Sequence, residues 1–284
     1  MPVDTHVHAG FATDHARPLA RLASVPVLTL TLILVYACLA PGNRLRTVSA
    51  QSISPSGSFG FLINTSINPA SNDRGTVVLG VMNFDGAGNV SGPYTFQLGA
   101  SDTQAAQTIA GTFTGTYSST PDGTGSVTIA LDVGLTAKFA VAITDGGQGL
   151  QLVGTHLDGG DIGGIVINGV ARAAHPGSLQ GSYGFQLNNS PIPACTVGFT
   201  TFDGAGNVTV SFVSVGVGRD ASQPPVSSGT VTGTYSVNPD GSGTINLPAA
   251  GSFAFVVTDG GSGLLMILTN GTANNVSSGT ARLR

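Results

Sequence analysis

The feature that most constrains this chain is that its body is written twice. Phe84-Asp85-Gly86-Ala87-Gly88-Asn89-Val90 recurs as Phe202-Asp203-Gly204-Ala205-Gly206-Asn207-Val208, an offset of 118 residues from Asp85 to Asp203. Gly115-Thr116-Tyr117-Ser118 returns as Gly233-Thr234-Tyr235-Ser236, and Pro121-Asp122-Gly123 as Pro239-Asp240-Gly241, at the same offset. Gly57-Ser58-Phe59-Gly60-Phe61 matches Gly181-Ser182-Tyr183-Gly184-Phe185 at 124, Thr144-Asp145-Gly146-Gly147 matches Thr258-Asp259-Gly260-Gly261 at 114, and Gly169-Val170-Ala171-Arg172 matches Gly279-Thr280-Ala281-Arg282 at 110. The motif order is kept and the offset drifts only between motifs. Length changes therefore fall in loops, as a tandem duplication requires. The copies span residues 51–174 and 175–284, behind a distinct segment 1–50, with a linker near Ala173–Leu179.

Composition decides what each copy becomes. Only 8% of residues are charged, all 14 acidic residues are Asp, and Lys138 is the single lysine. The good helix formers Glu and Lys are thus nearly absent, while Gly, Ser, Thr and Asn favour turns. Val, Ile, Thr, Phe and Tyr alternate between Gly/Asp/Asn/Pro clusters, which reads as short strands and tight turns. Copy one predicts eight strands near 58–64, 76–84, 89–97, 109–118, 124–131, 137–144, 149–155 and 163–172. Asp85-Gly86, Asp122-Gly123 and Asp145-Gly146, with their counterparts, supply the positive φ of hairpin turns.

Comparison of the copies predicts the inward faces. Phe59, Phe61 and Ile63 match Tyr183, Phe185 and Leu187; Phe139, Val141 and Ile143 match Phe253, Phe255 and Val257. In the second strand Val77, Leu79 and Val81 match Cys195, Val197 and Phe199, all apolar, whereas Val78 and Met82 match Thr196 and Thr200. The apolar set is expected to face the core. Tyr117 and Tyr235 share a face with Gly115 and Gly233, glycines that bend the strand or make room for a ring. An even number of hairpin-joined strands brings first and last together antiparallel, so a sheet can close. The expected fold is all-β: two tandem antiparallel domains forming small up-and-down β-barrels, with β-sandwiches as the alternative.

Together these motifs, over nearly all of residues 57–284, resemble those of exported bacterial tandem β-repeat proteins of unknown function. The resemblance implies an exported location and no activity. The strand count also resembles lipocalin and avidin barrels, a likeness of fold that carries no function.

Segment 1–50 reads as an address. Residues 22–40 are apolar and follow Arg17 and Arg21, the pattern of a secretory signal, with Val48-Ser49-Ala50 offering a cleavage site. Two alternatives stay open. Val35-Tyr36-Ala37-Cys38 is a degenerate lipobox in which Cys38 is lipidated, and the run is near the length of a short membrane-anchoring helix. All three place the body outside the cytoplasm, secreted or in the cell envelope, with membrane contact only through this segment. The body then keeps one cysteine, Cys195, and no internal disulfide. Asp4-Thr5-His6-Val7-His8 resembles an amidohydrolase metal motif, but no alternating strand–helix barrel follows it.

Chemistry-bearing groups are sparse. The formal charge is −4 with no basic patch, which argues against nucleic acid as a partner. Asp85-Gly86-Ala87-Gly88-Asn89 has one carboxylate and one amide, fewer ligands than a calcium loop uses. His156, Asp158 and Asp161 form the densest polar cluster, a weak metal or acid/base candidate, but copy two has Thr269-Asn270-Gly271-Thr272 there. No nucleophile elbow is present, and Cys195 is expected to be buried and inert. No cofactor and no catalysis are expected. Two readings remain: a non-catalytic structural, adhesion or interaction module meeting an envelope component, and a carrier of a small apolar ligand. The carrier's barrels would be lined by Phe61, Tyr117, Phe139, Phe185, Tyr235 and Phe253.

Overall fold

The computed structural model describes residues 54–66, 75–99, 105–158, 166–190, 194–216, 226–270 and 276–284. Cys38 and the expected export helix lie outside the described residues, as does Asp161. The first copy forms β1 (Gly57–Ser66), β2 (Thr76–Phe84), β3 (Asn89–Leu98), β4 (Gln107–Ser119), β5 (Thr124–Leu131), β6 (Thr136–Thr144), β7 (Gly149–Leu157) and β8 (Val166–Ala173). The second forms β9 (Gln180–Ser190), β10 (Ala194–Asp203), β11 (Asn207–Gly216), β12 (Val226–Val237), β13 (Ser242–Leu247), β14 (Gly251–Thr258), β15 (Gly263–Leu268) and β16 (Val276–Leu283).

Each set is a closed antiparallel barrel in up-and-down order. β1 closes on β8 with Phe61 opposite Ala171, and β9 closes on β16 with Phe185 opposite Ala281. Closure leaves no free sheet edge, which separates these domains from sandwiches. At the inward glycines Gly115 and Gly233 the neighbouring strand comes close. A side-chain carbon on either would lie 2.0 Å from a carbonyl oxygen of the neighbouring strand, on Thr128 and Asn246 respectively. Only glycine lets the strands approach there.

The offset between copies changes at the β1–β2, β5–β6 and β7–β8 connections, all at one end of the barrel. At the other end the β2–β3, β4–β5 and β6–β7 turns keep their length. One end is constant between the copies and the opposite end varies.

One expected face is reversed. In β2 the inward residues are Val78, Met82 and Phe84, which belong to the barrel 1 core, while Val77, Leu79 and Val81 point outward. They are nonetheless fully buried, because barrel 2 covers them. In barrel 2 the matching Val197 and Phe199 are each about half exposed, and Cys195 lies on the same outer face, partly exposed rather than buried in the core. Apolarity on both faces of β2 hides which side is in.

The covering surface forms a third core. Leu62, Val77, Leu79 and Val81 of β1 and β2 pack on Val256, Leu265, Ile267 and Val276 of β14 to β16. Gly60 permits the contact, since a side-chain carbon there would lie 2.5 Å from Val256 Cγ1. Ser278 Oγ donates to Asn64 Oδ1 across the seam at 2.6 Å. The linker ties both sides: Ala174 N donates to Ser58 O and His175 N to Val257 O.

Candidate functional site

The recurring motifs converge at the constant end of each barrel. The Phe of each Phe-Asp-Gly-x-Gly-Asn motif sits between two other rings. Phe84 meets Phe59 edge-on at 5.4 Å and Tyr117 at 4.9 Å. Phe202 meets Tyr183 at 5.5 Å and Tyr235 at 4.9 Å in the same way. Edge-to-face geometry sets the positive rim of one ring on the negative face of the next. The tyrosine hydroxyls then fasten the chain entering each barrel. Tyr117 donates to Pro55 O at 3.1 Å and Tyr235 to Leu179 O at 2.6 Å.

A second recurring constellation was not foreseen. Arg172 pairs with Asp145, and Arg282 with Asp259. Both aspartates take a left-handed backbone, φ 53° and 54°, rare for a residue with a side chain. The Gly-x-Ala-Arg and Thr-Asp-Gly-Gly motifs are therefore two halves of one ion pair, which joins the β6–β7 turn to the end of β8 and the β14–β15 turn to the end of β16. Their joint recurrence was the available signal.

The Phe-Asp turns use their carboxylates internally. Asp85 Oδ1 accepts from Ala87 N at 2.7 Å and Asn89 N at 2.9 Å, while Oδ2 accepts from Asn89 Nδ2 at 2.6 Å. Asp203 repeats the pattern with Ala205 and Asn207 at the same three distances. The Asn89 and Asn207 side-chain amides, followed by the backbone N–H groups, hold both carboxyls below the ordinary aspartate value. Asp122 is pulled down to about 2, first by the Thr120 hydroxyl and then by the backbone and hydroxyl of Thr124. These groups bind fewer protons when folded than when unfolded. Their stabilisation is present above the ordinary value of 3.8 and is lost as pH falls from there through about 2. The urea midpoint is expected to hold at neutral pH and drop across that window. The drop should shrink when Asp85, Asp122 and Asp203 are all replaced by Asn. A drop of unchanged size in that variant would remove the turn carboxylates as its cause.

All six expected lining residues face their barrel's interior. In barrel 1 Phe61 packs edge-on against Phe113 at 5.9 Å, and Phe139 and Tyr117 join the same buried cluster. In barrel 2 Phe185 and Phe253, with Ile245 and Met266, line a partly open cavity of about 40 Å³. That space suits a water or two, whereas ligand pockets run to roughly 300–1,000 Å³. Thr200 also lines it, and its buried hydroxyl has no hydrogen-bond partner among the described residues. Sequence reasoning placed Thr200 outward and so missed it.

Two of the three polar candidates, His156 and Asp158, are among the described residues. His156 Nε2 lies 2.7 Å from Asp158 Oδ1, and both side chains are about half exposed. His156 chiefly, with Thr136 and Lys138 adding, holds Asp158 below the ordinary carboxylate range. Among the described residues no group of three His, Cys, Asp or Glu is close enough to hold a metal ion. Tyr94 is a further unforeseen group. Its hydroxyl donates to Asp132 Oδ1 at 2.8 Å, and burial, with Asp132, pushes it up to about 12. Its counterpart, Phe212, has no hydroxyl to donate.

Compared with known proteins, the chain matches no family model, and no curated protein matches it in sequence. The class it belongs to is defined by its architecture: tandem, closed, eight-stranded antiparallel β-barrels.

Proposed function

We propose that this chain is a non-catalytic, exported β-barrel module that acts through its outer surface in a structural, adhesive or interaction role. The filled interior carries this reading. Aromatic and aliphatic side chains from every strand meet inside both barrels, and the cavity in barrel 2 is about 40 Å³. The recurring polar residues support it too, because their hydrogen bonds and ion pairs close turns and barrel ends. The outer sides of β4 and β12 are exposed and rich in Ser and Thr. On these two strands, apolar inside and polar outside is the reverse of a membrane-spanning barrel.

Mass spectrometry of the protein recovered from cells that export it tests both parts. A native spectrum should show no stoichiometric small molecule, and the denatured mass should report a processed N-terminus, cut after Ala50 or acylated at Cys38, or an intact anchor. A co-purifying apolar compound would replace this reading with the carrier. Recovery of the intact chain in the cytoplasmic fraction would sink the exported location.

A further inference from the structure

We propose that the outer face of β9, β10 and β11 in barrel 2 is a self-association surface, and that its occupant is the same face of a second copy of this chain. The duplication supplies the template. In barrel 1 the equivalent face, built on Leu62, Val77, Leu79 and Val81, is buried against another barrel of the same repeat. Barrel 2 keeps the register: Gln186 lies opposite Val197 as Leu62 lies opposite Leu79, and Gly184 lies opposite Phe199 as Gly60 lies opposite Val81. Yet in barrel 2 this face is open. Val197 and Phe199 are each 47% exposed.

The open face is also more extensive than its template. Where barrel 1 has Thr95 and Gln97, barrel 2 has Val213 and Val215, cross-strand from Val197 and Cys195. Val226 continues the row beside Val215. Val197, Phe199, Val213, Val215 and Val226 are five of the ten exposed large apolar side chains among the described residues. The other five are Val133 and Leu135 in the β5–β6 turn and single residues on β4, β7 and β16, so the β9–β11 group is the larger and marks an interaction site. It borders an open groove of about 840 Å³.

The chemistry of the patch selects the partner. Between Ala194 and Phe202 on β10, and along β11, no residue is charged, so the centre of the patch offers a polyionic partner nothing to bind; Arg282 at the edge of the groove is already paired with Asp259. Arg284 marks the rim, its guanidinium 4.8 Å from the Phe199 ring centroid. A second copy could offer either of two faces. Repetition of the internal contact would use β6 to β8 of barrel 1. There Ala142 and Gln151 stand where β14 and β15 have Val256 and Leu265, so two of three apolar knobs are lost and Val153 keeps the one at Ile267. Among the described residues, the face of a second copy with the most exposed large apolar side chains is the same β9–β11 face. A two-fold, face-to-face dimer buries it against itself, and this is the commonest symmetry of homo-oligomers.

This inference goes beyond the functional reading and does not depend on it. Sedimentation velocity of the full chain over a concentration series tests it. A reversible dimer of the 28.3 kDa chain is expected. Phe199→Asp and Val213→Asp should each weaken it at least about thirty-fold, the effect of losing a central interface anchor. Both side chains are about half exposed, so the fold should survive, and either variant that keeps its circular dichroism suffices. Val153→Asp should leave the dimer unchanged. Cys195, on the same face, should be protected from maleimide at dimerising concentration and released by Phe199→Asp. A monomer at every concentration would overturn the proposal. So would association that survives both patch variants, which would place it elsewhere, including in the N-terminal segment, or association abolished by Val153→Asp.

Discussion

Ile267→Asp is expected to lower the unfolding free energy by about 4 kcal/mol or more and to split one unfolding transition into two. Ile267 is fully buried, and its partners are the outward side chains of the other barrel's β1 and β2. Removing it loses about 2–5 kcal/mol of burial and packing, and an unpaired carboxyl in an apolar seam adds a desolvation penalty. The eight fully buried residues of this cluster are the reason to expect the barrels to melt together. The repeat provides an internal control. Val153 occupies the matching position in barrel 1 and is 55% exposed, so Val153→Asp should change stability by no more than about 0.5 kcal/mol. Urea unfolding followed by tyrosine fluorescence and circular dichroism reads both variants. Equal effects of the two substitutions would mean that the inter-barrel seam does not couple the domains.

Phe202→Ala is expected to cost about 3–5 kcal/mol, a large fraction of a typical domain's stability of about 5–15 kcal/mol. The ring is 1% exposed and touches Tyr183, Tyr235 and Phe255. Its loss opens a void where three recurring motifs meet, and the neighbouring tyrosines cannot collapse into it without leaving Gly261 O and Leu179 O, to which their hydroxyls donate. Phe84→Ala should behave alike in barrel 1, where Phe59 and Tyr117 flank the ring. Phe202→Leu should recover much of the loss by refilling the volume. The urea midpoint at unchanged slope is the measurement, and a loss below about 1 kcal/mol at both positions would show that the aromatic plug is not the core of the repeat.

Much of the fold was legible in the residues. The strand expected at 76–84 is β2 at Thr76–Phe84, and those at 89–97 and 124–131 coincide with β3 and β5 to within one residue. Hairpins are local, and Asp-Gly turns set where each strand begins. The six residues expected inside the barrels are inside. The face of β2 and β10 was misread for a definite reason. Alternation with period 2 separates two faces without naming the inner one. In β2 both faces are buried, and in β10 the inner face holds Thr200 while Val197 and Phe199 look outward. The pattern that normally marks a core here marks a surface that meets another barrel.

The motifs themselves were visible, but their purpose was not. Gly-Thr-Tyr-Ser, Phe-Asp-Gly-x-Gly-Asn and Gly-Ser-Phe/Tyr-Gly-Phe are separate in the chain, and the curling of β9 to β12 into one barrel wall brings Tyr235, Phe202 and Tyr183 into one stack. The up-and-down order sets the β14–β15 turn beside the end of β16, which joins Arg282 to Asp259, and gathers every length change to the opposite end.

By itself, the sequence determined an all-β chain, duplicated, with strands placed by local turn chemistry and alternation. These depend on neighbours within a hairpin, so they can be read from spacing. Tertiary structure alone decided that each sheet closes, that one end of each barrel is constant, and that one copy's outer face is a core while the other's is open. Those outcomes depend on contacts between residues remote in the chain, and on two copies of one motif order meeting through different surfaces, which no single copy's pattern can encode.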